Sequence, residues 1–214
     1  MKMELEGLLR TLEAIYPHTQ IARFCAENGE EWYYSLCQTN LQRHGTLIVG
    51  FNWGAGKNVK YSAQEQITKT DFYSEDVGSL SRTFSYLDKY LGIVARNNVS
   101  QTNYCFFRSH TESQISPQDI EVCKPIFEEL ISILKPTNII CLSATLRDYW
   151  LSGNELLDQK RKDIVYPFGE GCRTSYVVKG MLYGNTATYC LPHPNSKIPG
   201  RVRDEAWEFC FSDQ

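Results

Sequence analysis

Three polar residues, each beside an apolar run, carry the chemistry this sequence offers: Asn52, Asn103 and His193. Asn52 belongs to TLIVGFNWGAG, Thr46 to Gly56, in which the apolar run Leu47-Ile48-Val49 stops at Gly50. Phe51, Asn52, Trp53 and two more glycines, Gly54 and Gly56, follow. Glycines let backbone N–H groups approach a ligand, and an asparagine supplies both donors and acceptors. Asn103 lies in QTNYCFF, Gln101 to Phe107, and His193 in LPHPNS, Leu191 to Ser196. Open parallel sheets bind ligands beyond the carboxyl ends of their strands, so polar residues at such ends can meet in one pocket. Each residue also has a plainer reading. An asparagine at a strand end caps a turn, a histidine between prolines marks a rigid bend, and Gly50–Gly56 is equally a tight turn without a ligand.

Gly54-Ala55-Gly56-Lys57 tempts a P-loop reading, which the spacing rejects. That motif needs Gly, four residues, then Gly-Lys-Ser/Thr. Phe51 stands where the first glycine belongs, and Asn58 where the Mg²⁺-binding hydroxyl belongs.

The elements that must position these residues follow from periodicity. Leu5, Leu8, Leu9, Leu12 and Ile15 share one helical face, so a helix opens the chain and stops before Pro17. A second helix is expected over Thr19–Ala26, while Glu30–Thr39 is ambiguous. A buried strand covers Thr46–Gly50, and a long polar loop runs from Ala55 to Glu75. Leu80, Phe84, Leu87 and Leu91 mark a helix, and Gln101–Phe107 a strand ending in Arg108-Ser109-His110. Ser116-Pro117 is an N-cap with proline at the first helical position, and apolar residues from Ile120 to Leu134 continue that helix. Asn138–Ser143 is a third strand and Thr145–Leu151 a short helix. Ser175–Tyr183 and Thr186–Leu191 are strands around a Gly184-Asn185 turn, and Asp204–Phe211 is a closing helix. Strands alternating with helices predict an α/β protein, a three-layer α/β/α sandwich with a mostly parallel central sheet. One domain is expected over 1–214, with a helical segment at 1–40 and a core at 46–211.

Composition sets the limits. The chain has 214 residues, 42% hydrophobic and 22% charged, as in ordinary globular proteins. Net charge is −3, so no global basic field draws it to nucleic acid, and DNA contact must use a local patch. Eight cysteines include no C-x-x-C pair, so the usual zinc-ribbon and iron–sulfur spacing is absent and no metal or cofactor is expected. The opening MKMELEGLLRTLEAIY is no secretory h-region, and no apolar run is long enough to span a membrane. Reduced cysteines, a cytoplasmic location and no membrane partner are the expectations.

GFNWGA (Gly50–Ala55), TNYCFF (Thr102–Phe107) and LPHPNS (Leu191–Ser196), in this order and spacing, resemble the uracil-DNA glycosylase superfamily. CKPIFEELISILKPTNIICLS, Cys123 to Ser143, is similar to the helix and strand before that family's third central strand, so the resemblance spans Thr46–Arg203. The first motif carries Asn and the second reads Asn-Tyr-Cys, closest to the single-strand-selective monofunctional branch. The resemblance implies a DNA-repair hydrolase that flips a base out and cleaves its N-glycosidic bond, acting on uracil or a related damaged pyrimidine. Asn52 would hold the hydrolytic water, and His193 would stabilise charge on the departing base. Asn103 would bind the base edge, with Gly50, Phe51 and Trp53 around it. Phe72 ranks first as the ring that stacks on the base, then Tyr61, then Trp53. Asn195, Ser196, Lys197, Arg201 and Arg203 would face DNA, with Ile198 wedged into the vacated stack. Trp53 replaces the family's usual proline, Asn195-Ser196 replaces Ser-Pro, and position 52 is an amide, which predicts slower hydrolysis. The competing expectation is a catalytically silent relative that binds a nucleobase-like ligand or a protein partner.

Overall fold

One sheet of six strands organises the α/β fold, as seen in a computed structural model that describes residues 1–37, 41–56, 60, 81–96, 98–194 and 196–212. The elements are α1 (Lys2–Ile15), α2 (Gln20–Asn28), β1 (Thr46–Gly54), α3 (Ser81–Arg96), β2 (Val99–Ser109) and α4 (Pro117–Leu134). There follow β3 (Asn138–Cys141), α5 (Ala144–Ser152), β4 (Leu156–Phe168), β5 (Gly171–Leu182), β6 (Thr186–Cys190) and α6 (Gly200–Phe211). The strand order is β2-β1-β3-β6-β5-β4. β1–β3 and β3–β6 pair parallel, Val49 opposite Cys141 and Cys141 opposite Cys190. The β2–β1 pair is parallel too: Thr46 N donates to Asn98 O where both strands begin, and Ala55 N to Ser109 O where both end. β5 and β4 then add antiparallel, so the sheet is mixed and mostly parallel, the expected class.

By contacts the chain divides into two compact units, each assembled from separated segments. The first comprises Met1–Arg43, Gly50–Phe72 and Ser100–Lys135. Here α1 packs on α4 through its leucine face, with Leu5, Leu8 and Leu12 buried. Tyr16, just after α1, touches the rings of Tyr33, Tyr34 and Phe107 at centroid distances of 5.8, 5.4 and 5.8 Å. The ambiguous segment around residue 34 is neither a full strand nor a helix. It hugs the edge of β2, with Ser35 N donating to Phe106 O and Arg108 N to Tyr33 O. Asp119 carries the N-termini of two helices. One carboxylate oxygen accepts from Gln20 N and Ile21 N at the start of α2, the other from Ser116 N and Oγ at the start of α4.

The second unit comprises His44–Val49, Tyr73–Val99 and Pro136–Gln214. Its β4–β5 hairpin is long, pairing Leu156 with Leu182 at one end and Phe168 with Gly171 at the other. Helices α3 and α6 meet through stacked rings. Tyr86 lies 5.1 Å from Trp207 at an interplanar angle of 9°, and Tyr90 and Phe211 extend the stack. Gly184, at φ 77°, makes the expected turn between β5 and β6 in a backbone region that glycine tolerates best.

The structure corrects several boundaries. β1 runs on through Gly54 rather than stopping at Gly50, so Asn52 lies inside the strand. β2 spans Val99–Ser109, which places Asn103 mid-strand rather than at its end. β4 is an added element, with most of its residues exposed and a charged stretch at its centre, held by pairing with β5 and by the buried side chains of Leu156, Ile164 and Tyr166. All eight cysteines are free thiols, seven of them buried and Cys172 exposed. Burial pushes the Cys123 thiol well above its ordinary value, with Cys105 beside it adding to the shift. Such thiols behave as small hydrophobes. Among the described residues no helix is long and apolar enough to cross a membrane.

Candidate functional site

The strand ends of β1 and β2 are bound together by three successive residues. Arg108 Nη1 donates to Gly54 O at 3.2 Å, Ala55 N donates to Ser109 O at 2.9 Å, and His110 Nδ1 meets Ala55 O at 3.2 Å. The last contact requires a hydrogen on Nδ1, because a carbonyl oxygen only accepts. Arg108 and Ser109 are buried, His110 exposed.

Asn52 projects into this arrangement. Its Nδ2 donates to Trp53 O at 3.0 Å and to Ser109 Oγ at 2.7 Å. Ser109 Oγ spends its own hydrogen on Thr111 O at 2.7 Å. Both neighbours of the amide nitrogen are therefore acceptors, and this network assigns which end of the amide is nitrogen. With two N–H groups engaged, the half-buried side chain offers a ligand its carbonyl oxygen. A water that donates to that oxygen would be oriented without being deprotonated.

Asn103 is 4% exposed and lies across from Gly50. A Cβ at position 50 would stand 2.1 Å from Asn103 Oδ1. Gly50 is therefore a glycine of close approach, giving the amide room beside β1. Gly50, Asn52 and Asn103 belong to the first unit, and the structure joins them through β1 and β2.

Two residues expected around a base, Trp53 and Phe51, are buried. Trp53 is 3% exposed, and its indole N–H donates to Ser35 O at 2.5 Å. Its bulk anchors β1 to the segment beside residue 35. Phe51 is 5% exposed and packs into the core.

In the second unit, His193 is exposed on a tight turn after β6. Ser196 builds that turn, its N and Oγ both donating to His193 O at 2.9 and 2.6 Å. Arg203, on the first turn of α6, is 9% exposed and donates to Ser196 O at 2.5 Å. The expectation that Arg203 faces DNA is corrected: its guanidinium is buried and holds the turn. Lys197 and Arg201 are exposed, and Ile198 is half-buried. Phe72, Tyr61 and Asn195 lie outside the described residues, as does most of the Ala55–Glu75 segment.

Sequence reasoning named Arg108, Ser109 and His110 only as a strand terminus. The signal lies in three polar residues in a row directly after the apolar run Tyr104-Cys105-Phe106-Phe107. Their targets, Gly54, Asn52 and Ala55, were not legible. No protein-family model matches the chain, and no curated protein matches it.

Proposed function

We propose that the protein is a monofunctional DNA base glycosylase that hydrolyses the N-glycosidic bond of uracil or a related damaged pyrimidine. The observation that carries this reading is the Asn52 amide, whose two N–H groups are spent on Trp53 O and Ser109 Oγ and whose carbonyl oxygen accepts from no described residue; in this reading that oxygen orients the hydrolytic water. The buried Asn103 amide beside Gly50 supplies donors and acceptors suited to a pyrimidine edge. His193 has the chemistry to stabilise negative charge on the leaving base. Breaking the bond generates a cationic sugar and an anionic base, and prearranged donors favour the anion. An amide at position 52 cannot take a proton, so the mechanism leans on electrostatics and on binding the extruded base.

The test is release of uracil from uracil-containing oligonucleotides, single- and double-stranded, by wild type, Asn52→Ala and His193→Ala. Release by the wild type and its loss in both variants supports the reading. No release by folded protein at high concentration overturns it.

A second reading, a catalytically silent protein that binds a nucleobase-like ligand or a protein partner, draws on one observation. Arg203 is occupied within the protein, which leaves fewer exposed cations after His193 in a chain of net charge −3. Phosphate contacts impose a steep salt dependence. DNA binding that ignores salt favours this second reading.

A further inference from the structure

Asn52 owes its orientation to a hydroxyl on the neighbouring strand. Turning the amide over would set its oxygen against Trp53 O, which cannot donate. It would also draw the Ser109 hydrogen away from Thr111 O. An unmade hydrogen bond between partly buried groups costs more than a typical bond contributes, so the amide is held one way round. Ser109 is itself 1% exposed, and its carbonyl is pinned to Ala55 N. Arg108 and His110 hold Gly54 O and Ala55 O on either side. The hydroxyl therefore stands on backbone tied to the same strand end it serves.

We propose that Ser109 is a positioning residue for Asn52: by accepting from Nδ2 it turns the Asn52 carbonyl oxygen towards the reacting water. The functional half of this rests on the glycosylase reading, while the orientation half stands apart from it. Ser109 does not touch substrate in this account. It acts through the amide, as a supporting residue that locks a rotamer. Serine suits the position because a hydroxyl can accept from Asn52 while donating to Thr111 O, which neither alanine nor a carbonyl can do.

The experiment compares wild type, Ser109→Ala and Ser109→Thr by two readouts. The first is hydrogen exchange of the Asn52 side-chain amide by NMR, assigned by the loss of its signals in Asn52→Ala. Wild type and Ser109→Thr should show protected Nδ2 hydrogens, and Ser109→Ala should exchange about fivefold faster or more. The second readout is uracil release. Ser109→Ala should lower kcat about ten- to a hundredfold with KM nearly unchanged, and Ser109→Thr should recover most of it. Unchanged exchange in Ser109→Ala overturns the proposal whatever the activity. A kcat that stays at wild-type level in Ser109→Ala, with faster exchange, overturns the functional half. Protection that depends on Ser109 in a wild type without glycosylase activity upholds the orientation and overturns the glycosylase reading alone.

Discussion

Gly50 leaves the space that the Asn103 side chain fills: a methyl group there would stand 2.1 Å from Asn103 Oδ1. No real Cβ contact is that short, so Gly50→Ala must push the Asn103 amide aside. The expected cost is about 1–3 kcal/mol, the range for overpacking a filled interior. Combining it with Asn103→Ala should recover most of that cost, because the clashing oxygen is gone. Denaturant midpoints of the two single variants and the double variant measure the coupling. Additive losses would mean that the two residues do not compete for one volume.

The cations after His193 divide by burial. Arg203 holds Ser196 O from a buried position, whereas Lys197 and Arg201 are exposed. Each of Lys197→Ala and Arg201→Ala should reduce the slope of log affinity for DNA against log salt by about 1. Arg203→Ala should leave that slope unchanged and lower stability by about 1–3 kcal/mol through the unpaired Ser196 carbonyl and the lost packing. Titrations at several salt concentrations decide between the two roles.

Asp119 serves two helix starts from one buried carboxylate. A single cap is worth about 0.5–2 kcal/mol, so Asp119→Ala should cost about twice that. Asp119→Asn retains one acceptor oxygen and should lie between alanine and wild type. Equilibrium unfolding measures the difference. A loss no larger than that of an ordinary single cap would show that α2 does not depend on Asp119.

The Asp148 carboxylate accepts from Arg147 Nε at 2.8 Å and from Tyr176 Oη, and Tyr176 is stacked by the Arg147 and Arg161 guanidiniums at 3.5 and 4.0 Å. Burial works to raise this carboxyl, but the hydrogen bonds from Arg147 and Tyr176 and the nearby arginine charges outweigh it. The net effect holds the pKa below its ordinary value. A depressed folded-state pKa gives stability that is present above the unfolded value, about 3.9, and is lost as pH falls through the folded one. Asp148→Asn should therefore unfold more readily at pH 7, by less than about 1 kcal/mol because the group is half exposed. Its stability should also fall less steeply than wild type below about pH 4. Parallel acid-limb slopes would contradict this.

Much of the architecture is legible in local pattern. The Ser116 cap, Pro117 and the apolar spacing from Ile120 define α4, and the capping box is there in the structure. The apolar run from Thr46, the short run from Asn138 and the Gly184 turn likewise yield β1, β3 and the β5–β6 hairpin. These features are governed by residues a few positions apart, whose propensities and caps act before any tertiary contact forms. β4 escapes that logic. Its largely exposed sequence is a strand where β5 supplies its hydrogen bonds along nearly its whole length and where Ile164 and Tyr166 are buried.

By itself, the sequence determined the α/β class and the principal helices and strands, whereas the strand limits that put Asn52 inside β1 and Asn103 in the middle of β2 came from the fold. Only tertiary structure decided what the candidate site residues touch. Trp53 turns to Ser35, Arg203 turns inward to Ser196, and Asn52 meets a hydroxyl 57 positions away on a parallel strand. Secondary structure is set by neighbours along the chain and by the period of burial. A side chain's hydrogen-bond partner is set by whichever distant group the strand register brings within about 3 Å, and that register belongs to the whole sheet.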